Sequence, residues 1–472
     1  MGSSSKETNG IRKSLGGIGA AIVVIAIAFM IPGSEALSHE GITTLGVLLA
    51  LAILWATAAL PVGVIALCIP VTLFFLGVCN LSSAFAGYGS TALYFIIAIF
   101  AMPVILQKTA WGTRLISQLV EWAKDDSKKL VLGFMVATGL ISTIMSDVPT
   151  TVLFLSFALP LLKAANAKPG SSNLGRCLMI GIPVAAVIGG IATPAGSSFN
   201  VVAMGLMQQS SGEAISFLNW MVVCAPLAIV MLPLSWFFIV KVFEPESISD
   251  ECFEDIRSQA EMSKQITAVD IKALVIIGLM VVLWIAGNWI TVLSATAVAL
   301  VGLVVMFLPG MNLITWKEFQ DAVPWGIVLM VGTIMSIGGV VSSTGGAAFI
   351  ANVITGSGVV DAGFMVFFFV ILLVVYLFHT VCPIGAAILG IFVPILITLC
   401  AGFGISPAVP TIALAIMVAG NVLLPVNPTV MLTYGEGYYK FLDMFKTGVV
   451  PAIILLILVA LWVPFMVGVL GM

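Results

Sequence analysis

Apolar positions along this chain come in long runs, not in the alternation of a half-buried strand. Stretches of about 18 residues with hardly a charge recur from residue 15 onward, divided by short polar segments, the pattern of membrane-spanning helices. The runs cover about 15–32, 42–60, 62–79, 91–107, 176–206, 217–242, 271–289, 292–308, 325–343, 409–433 and 447–470, eleven in all. Two further apolar stretches, about 130–165 and 363–400, are too long for one span. Each is interrupted near its middle, by Ser146-Asp147-Val148-Pro149-Thr150-Thr151 and by Cys382-Pro383-Ile384-Gly385-Ala386. Non-helical backbone survives at membrane depth only where protein buries it or it lines a cavity. Each stretch is therefore expected to be a re-entrant hairpin that enters and leaves on one side. The fold class expected is an all-α polytopic membrane protein of about eleven transmembrane helices plus two re-entrant helical hairpins.

Composition sharpens this picture. Of 472 residues 61% are hydrophobic and only 8% charged, and mean hydropathy is +1.22, whereas a soluble chain carries about 25% charged residues. A net charge of -3 and the lack of a basic stripe argue against nucleic acid. With two histidines, His39 and His379, and seven cysteines without CxxC spacing, neither a His-based metal site nor a disulfide framework is expected. The positions of the charges test the span count. With a cytoplasmic N-terminus and both hairpins re-entrant, all 18 Lys and Arg fall in or beside 1–14, 108–129, 163–176, 241–272, 309–324 and 434–446, and the other side carries Glu35, Glu40, Glu213 and Asp361. The expectation is a multi-pass protein of the plasma (inner) membrane with its C-terminus extracytoplasmic.

The two halves resemble each other. Span 91–107, the hairpin around Ser146 and the Thr193-Pro194-Ala195-Gly196-Ser197 turn recur 231–236 residues later as span 325–343, the hairpin around Cys382 and the Leu424-Pro425-Val426-Asn427-Pro428-Thr429 turn. The charge count runs the two first spans in opposite directions, so the repeat is inverted. Inverted repeats with discontinuous helices point to a secondary transporter with a midplane site, not an enzyme; a passive channel has less use for paired broken hairpins. The domains expected are a disordered tail 1–14, scaffold helices 15–90, a first repeat 91–216, scaffold helices 217–324 with an acidic solvated linker 244–270, a second repeat 325–446 and a last helix 447–472.

Candidate chemistry is sparse. Asp147 is an acid inside an apolar stretch, which marks a functional site by default; it either couples a cation or proton, or caps the half-helix that follows. Ser146, Asp147 and Thr150 together offer the oxygen ligands that a hard cation such as Na⁺ requires. No Lys or Arg lies within the spans to meet an anion, so half-helix N-termini would have to supply the positive potential. Asp147 opposes an anion unless Na⁺ or H⁺ neutralises it. His379 is either a packing residue or a proton site. Ser197, Ser198, Asn200, Asn427 and Thr429 either bind substrate or satisfy the helix breaks.

The stretches ILWATAALPVGVIALCIPV (53–71), AFAGYGSTALYFIIAIFAM (84–102), LVLGFMVATGLISTIMSDVPTTVLFLSFALPLL (130–162), AAVIGGIATPAGSSFN (185–200), ITWKEFQDAVPWGIVLMVGTIMSIGGVVSSTG (314–345), FHTVCPIGAAILGIFVPIL (378–396) and NVLLPVNPTVMLTYGEGYY (421–439) resemble the divalent anion–sodium symporter family. The resemblance covers nearly the whole chain. It implies a scaffold, a mobile transport part holding both hairpins, a homodimer, elevator-like alternating access, a small dicarboxylate, tricarboxylate, sulfate or sulfonate substrate, and Na⁺ as coupling ion with no other cofactor. By position, it implies a first cation site at Ser142, Ser146, Asp147, Gly190 and Thr193, and a second using Thr380 and Pro425. Substrate would meet Ser146, Thr150, Ser197, Ser198, Asn200, Cys382, Asn427 and Thr429. The usual Ser-Asn-Thr of both tips is Ser146-Asp147-Val148 and Cys382-Pro383-Ile384 here, so the second cation site has lost the hydroxyl and amide side chains of its tip, keeping mainly backbone carbonyls, Thr380 and Asn427, and two equivalent sites are not implied. A proton-coupled or anion-exchanging member, with Asp147 or His379 carrying the proton, is the alternative.

Overall fold

A computed structural model describes residues 2–124, 126–247, 266–381 and 384–472, and among these the chain is helix and turn without strands. Helix α1 (Gly2–Met30) includes residues 2–14, expected as a disordered tail; lengthening a helix already nucleated by the apolar run costs less than starting one. It packs along α2 (His39–Ala56), which begins where the Ser38 side chain accepts the Gly41 N–H. Helix α3 (Val62–Phe75) and the single turn α4 (Leu81–Ala84) follow. The run 91–107 is divided at Phe100 into α5 (Thr91–Ile99) and α6 (Ala101–Gln107), because Pro103 has no N–H to offer the carbonyl four residues before it. Helix α7 (Trp111–Ala123) comes next.

The stretch 130–165 forms α8 (Ser127–Met145) and α9 (Asp147–Ala164), divided at Ser146 alone. Both ends of the pair abut one segment: Ser127 Oγ donates to Glu246 O at 2.6 Å, Lys128 pairs with Glu244 at 2.8 Å, and residues 165–168 line a hollow with Glu246 and Ser247. The two helices therefore run out and back. At that same place the Glu246 carboxylate accepts the Asn173 and Leu174 N–H groups at 2.7 and 2.6 Å, fixing the start of the next helix.

The run 176–206, expected as one span, is two helices, α10 (Asn173–Ile191) and α11 (Ser198–Ser211). Pro194 cannot donate to the Gly190 carbonyl, so the helix cannot continue; Asn200 Nδ2 takes over that carbonyl at 2.9 Å and the Thr193 carbonyl at 2.8 Å. Helix α10 is the core of the molecule, every residue from Cys177 to Ile191 being buried. Its approach to α8 is backbone on backbone, since a Cβ at Gly189 would lie 2.1 Å from Gly139 O.

Helix α12 (Phe217–Val242) packs on α8 and α10 and, at the chain's end, on the last helix. Residues 248–265, most of the expected acidic linker, lie outside the described residues. Beyond them come α13 (Ala268–Ala286), α14 (Ala295–Phe307), the short α15 (Trp316–Ala322), α16 (Trp325–Ser343) and α17 (Gly346–Gly356). Helix α16 lies on α3, where Thr333 Oγ1 donates to Ala66 O at 2.6 Å.

The stretch 363–400 forms α18 (Phe364–Val381) and α19 (Gly385–Ala401). Its two ends also meet, with the Phe364 and Phe367 rings 5.6 and 6.1 Å from Phe403. The run 409–433 is likewise broken, into α20 (Ala408–Ala419) and α21 (Pro428–Tyr434), with 420–427 unwound across Pro425. Helix α22 (Phe441–Leu470) ends the chain and is held to α12 by Trp462 Nε1 donating to Val223 O at 2.8 Å.

Candidate substrate and cation site

Each hairpin bend meets the broken helix of the other half. At the first bend Ser146 has a left-handed φ of 68°, which turns Asp147 into the opening of α9. Asp147 Oδ1 accepts Ser146 Oγ and the Val148 N–H, both at 3.1 Å. Its Oδ2 accepts Thr429 Oγ1 at 3.1 Å, 282 residues away at the start of α21. At the second bend a Cβ on Gly385 would lie 2.9 Å from the Phe199 ring, at the start of α11. Half-helix starts from both repeats are thus gathered in one buried place. Ser197 and Ile384, the residues before α11 and α19, accept no backbone N–H with their side chains, so these two starts keep unneutralised positive ends, whereas α9 opens on the Asp147 carboxylate.

Each bend also holds the break of its own half. Thr193 Oγ1 donates to the Thr143 carbonyl at the end of α8, and Ser142 Oγ donates to Ala186 O at 2.5 Å, leaving its lone pairs free. Gly190 and Gly196 cross so closely that a Cβ on Gly196 would lie 2.5 Å from Gly190 O and 2.9 Å from Ser142 O, and one on Gly190 3.6 Å from Ser142 Oγ. Oxygen atoms crowd this crossing because glycine lets the backbones approach. Asn200 Oδ1 and Ser197 Oγ nearby are buried without a hydrogen-bond partner. This donor set, with the Asp147 carboxylate at the adjoining bend, fits a hard cation.

In the second half Thr380 Oγ1 donates to Tyr376 O at 2.9 Å, and Asn421 Nδ2 donates to Tyr376 O at 2.8 Å and to Thr380 Oγ1 at 2.9 Å. Asn427 Oδ1 accepts the Thr429 N–H at 2.8 Å and so caps α21.

Of the residues singled out from the sequence, Ser142, Gly190 and Thr193 gather at the first break, with Ser146, Asp147 and Thr150 at the bend bonded to it. There Thr150 Oγ1 is committed to Ser146 O at 2.6 Å. Asn200 is consumed in part by the break, Ser197 is buried beside it and Ser198 is half-buried. Asn427 caps α21, Thr429 meets Asp147, and Thr380 and Pro425 belong to the second half. His379 is buried with Nδ1 unpartnered. Cys382 lies outside the described residues. Asn421 and the Tyr376 carbonyl escaped the sequence reading; an Asn directly before a Pro-containing break in an apolar run was the available signal.

A polytopic membrane protein whose broken helices meet at a buried, oxygen-lined bend is a membrane transporter, and its relatives are transporters rather than enzymes. The chain belongs to the family described as the sodium:sulfate symporter transmembrane region, which it matches over residues 13–471. It is similar to the sodium-dependent dicarboxylate transporter SdcS of Staphylococcus saprophyticus, 24% identical over 95% of this chain and 90% of the relative. The SdcS of Staphylococcus aureus strain bovine RF122 is 22% identical over 96% and 91%. Among solved structures, the Alcanivorax borkumensis YdaH transporter shares the fold, with a TM-score of 0.53 at 14% identity over 82% of this chain and 87% of that one.

Proposed function

We propose that this protein is a secondary active transporter that moves small dianions, of the dicarboxylate class or the related tricarboxylates, sulfate and sulfonates, across the inner membrane in symport with sodium. The observation that carries this reading is the bond from Thr429 to Asp147, which joins an acid at one bend to a half-helix start of the other repeat. A dianion seated at the positive ends of α11 and α19 is repelled by the ionised Asp147 at the start of α9. A cation at the Ser142–Gly190–Asp147 oxygens removes that repulsion, so cation and anion load together. The names of the SdcS relatives and of the family support sodium and dicarboxylate or sulfate as the partners.

The out-and-back courses of α8–α9 and α18–α19 support re-entrant hairpins, and the packing of α12 and α22 with them suggests a moving unit that also includes α10, α11, α20 and α21. A cavity of about 410 Å³ between α11 on one side and α5, α13 and α14 on the other gives that unit room to slide in an elevator-like cycle. The basic segments touch one another at one end, as in Lys108 with Glu318 and Lys128 with Glu244, in keeping with a cytoplasmic N-terminus, an extracytoplasmic C-terminus, and lipid and a second copy of the chain as its other partners.

A proton in place of sodium is the second reading, favoured by the unpartnered His379 Nδ1 beside the second bend. Uptake of labelled succinate, citrate and sulfate into proteoliposomes under imposed Na⁺ or pH gradients separates the two. A sodium gradient is expected to drive uptake at least tenfold above a potassium control. Uptake indifferent to both gradients and to internal anion sinks the proposal. Asp147→Asn is expected to leave the protein folded while lowering the sodium stimulation at least fivefold.

A further inference from the structure

The unit proposed to move and the rest of the chain meet along a seam of small and apolar side chains. A Cβ on Gly338 of α16 would lie 2.9 Å from Leu206, and one on Gly390 of α19 would lie 2.7 Å from Ile334. Apolar contacts have no preferred direction, so such surfaces can slide. One place differs. Just before α12 the half-buried Ser216 Oγ donates to Asn288 Oδ1 at 2.7 Å, in the turn between α13 and α14. The next residue, Phe217, stacks its ring on Trp284 of α13, with centroids 4.7 Å apart and planes 20° from parallel. Among the described residues these are the one side-chain hydrogen bond and the one ring pair that join α8–α12 and α18–α22 to α1–α6 and α13–α16. Both come from successive residues at a single point.

Trp284 is fixed from its own side. Its Nε1 donates to Ala295 O at 2.9 Å, and the Phe95 ring lies 5.8 Å away. Phe217 and Trp284 are buried, and with Ser216 they border the cavity of about 410 Å³. The rings can therefore part into open space without forcing close-packed atoms aside. A stack and a hydrogen bond both depend on alignment, so sliding α12 along α13 breaks the two together. We propose that Ser216 and Phe217 form a latch, with Asn288 and Trp284 as its catch, that holds the moving unit at one end of its stroke. This rests on the moving unit described above, and adds the contact that sets the balance between its two end positions.

Spin labels on Glu35→Cys and Glu213→Cys, one on each side of the seam, in a background without native cysteines, test the latch by pulsed electron resonance on the full-length protein in nanodiscs. Two distances are expected, with the one belonging to the latched position more populated. Phe217→Leu keeps the site apolar and removes the ring, and is expected to shift the ratio about fivefold toward the other distance. Asn288→Ala, in an exposed turn, is expected to shift it about twofold in the same direction. Asn288→Asp still accepts the Ser216 hydroxyl and is expected to keep the wild-type ratio. A ratio unchanged in Phe217→Leu and in Asn288→Ala overturns the latch and leaves the moving unit standing. A single distance common to every variant overturns the moving unit, and the latch with it. If Phe217→Leu fails to give a monodisperse gel-filtration peak, the Asn288 pair decides: a shift in Asn288→Ala that Asn288→Asp does not share supports the latch, and equal ratios in the two overturn it.

Discussion

Ser146 holds a backbone conformation, φ 68° and ψ 153°, that a side chain disfavours, at a cost of about 1–3 kcal/mol. The strain aims Asp147 at Thr429, which a helix running straight on from Met145 could not do. Glycine adopts such angles freely, so the strain and the chemistry of Ser146 separate by mutation. Ser146→Gly is expected to melt higher than Ser146→Ala, by the equivalent of about 1 kcal/mol, while both lose the Oγ donor to Asp147 and with it sodium affinity. Differential scanning fluorimetry with and without sodium checks both, and equal melting temperatures refute the strain. At this scale Asp147 was legible in the sequence because an acid in an apolar run is rare. Asn421 was not, because its bonds to the Tyr376 carbonyl and Thr380 hydroxyl exist only once folding has laid it against α18.

Helices were legible where an apolar run is unbroken, as in α16, whose bounds match the expected span, and where a run conceals a break only its Pro-containing turn marks the place. Nothing in the hydropathy of 176–206 separates α10 from α11; Pro194 does so through the hydrogen bond it cannot make, and Asn200 must be folded back to satisfy the carbonyl left over. Between elements, the ion pairs at the charged end act as fasteners. Lys108, following α6, bonds Glu318 of α15 at 2.7 Å and the Leu313 carbonyl at 3.0 Å. The Lys108 ammonium, together with the Thr315 N–H and hydroxyl, holds the Glu318 carboxyl down from 4.5 to about 2. A carboxyl depressed in the folded state stabilises the fold fully above its unfolded value, and that stability is lost as pH falls through the folded one. Glu318→Gln is therefore expected to lower the melting temperature at pH 7, by an amount that is constant down to about pH 5 and shrinks between pH 4.5 and 2. A difference that persists unchanged at pH 3 refutes the pairing, and pH-dependent transport between pH 5 and 8 has to originate elsewhere.

For the whole molecule, the 18 basic residues fall on one side of the membrane only on the reading that two long apolar stretches turn back. Helix order along the chain says nothing of which neighbours bury the Trp220 and Cys224 face of α12, which packs on α8, α10 and α22. If the hairpins, α10–α12 and α20–α22 move together against the remainder, the contact between α5 and α11 must slide. There Gly205 and Ala92 approach until a Cβ on Gly205 would lie 2.8 Å from that of Ala92, with Met335 sulfur at 3.1 Å. Small residues on both sides leave a smooth track, and they also put two cysteines within reach of a disulfide after a shift of about 1 Å, the mean Cβ separation in such bonds being about 3.8 Å. In a background without native cysteines, the Ala92→Cys/Gly205→Cys pair is expected to transport when reduced, to lose more than 90% of uptake when oxidised, and to recover with dithiothreitol. Sodium binding to the oxidised protein should persist, because the cross-link stays clear of the Ser142–Asp147 oxygens. Full transport by a cross-linked protein means that α5 and α11 never part, and the moving unit must then be smaller than the packing implies.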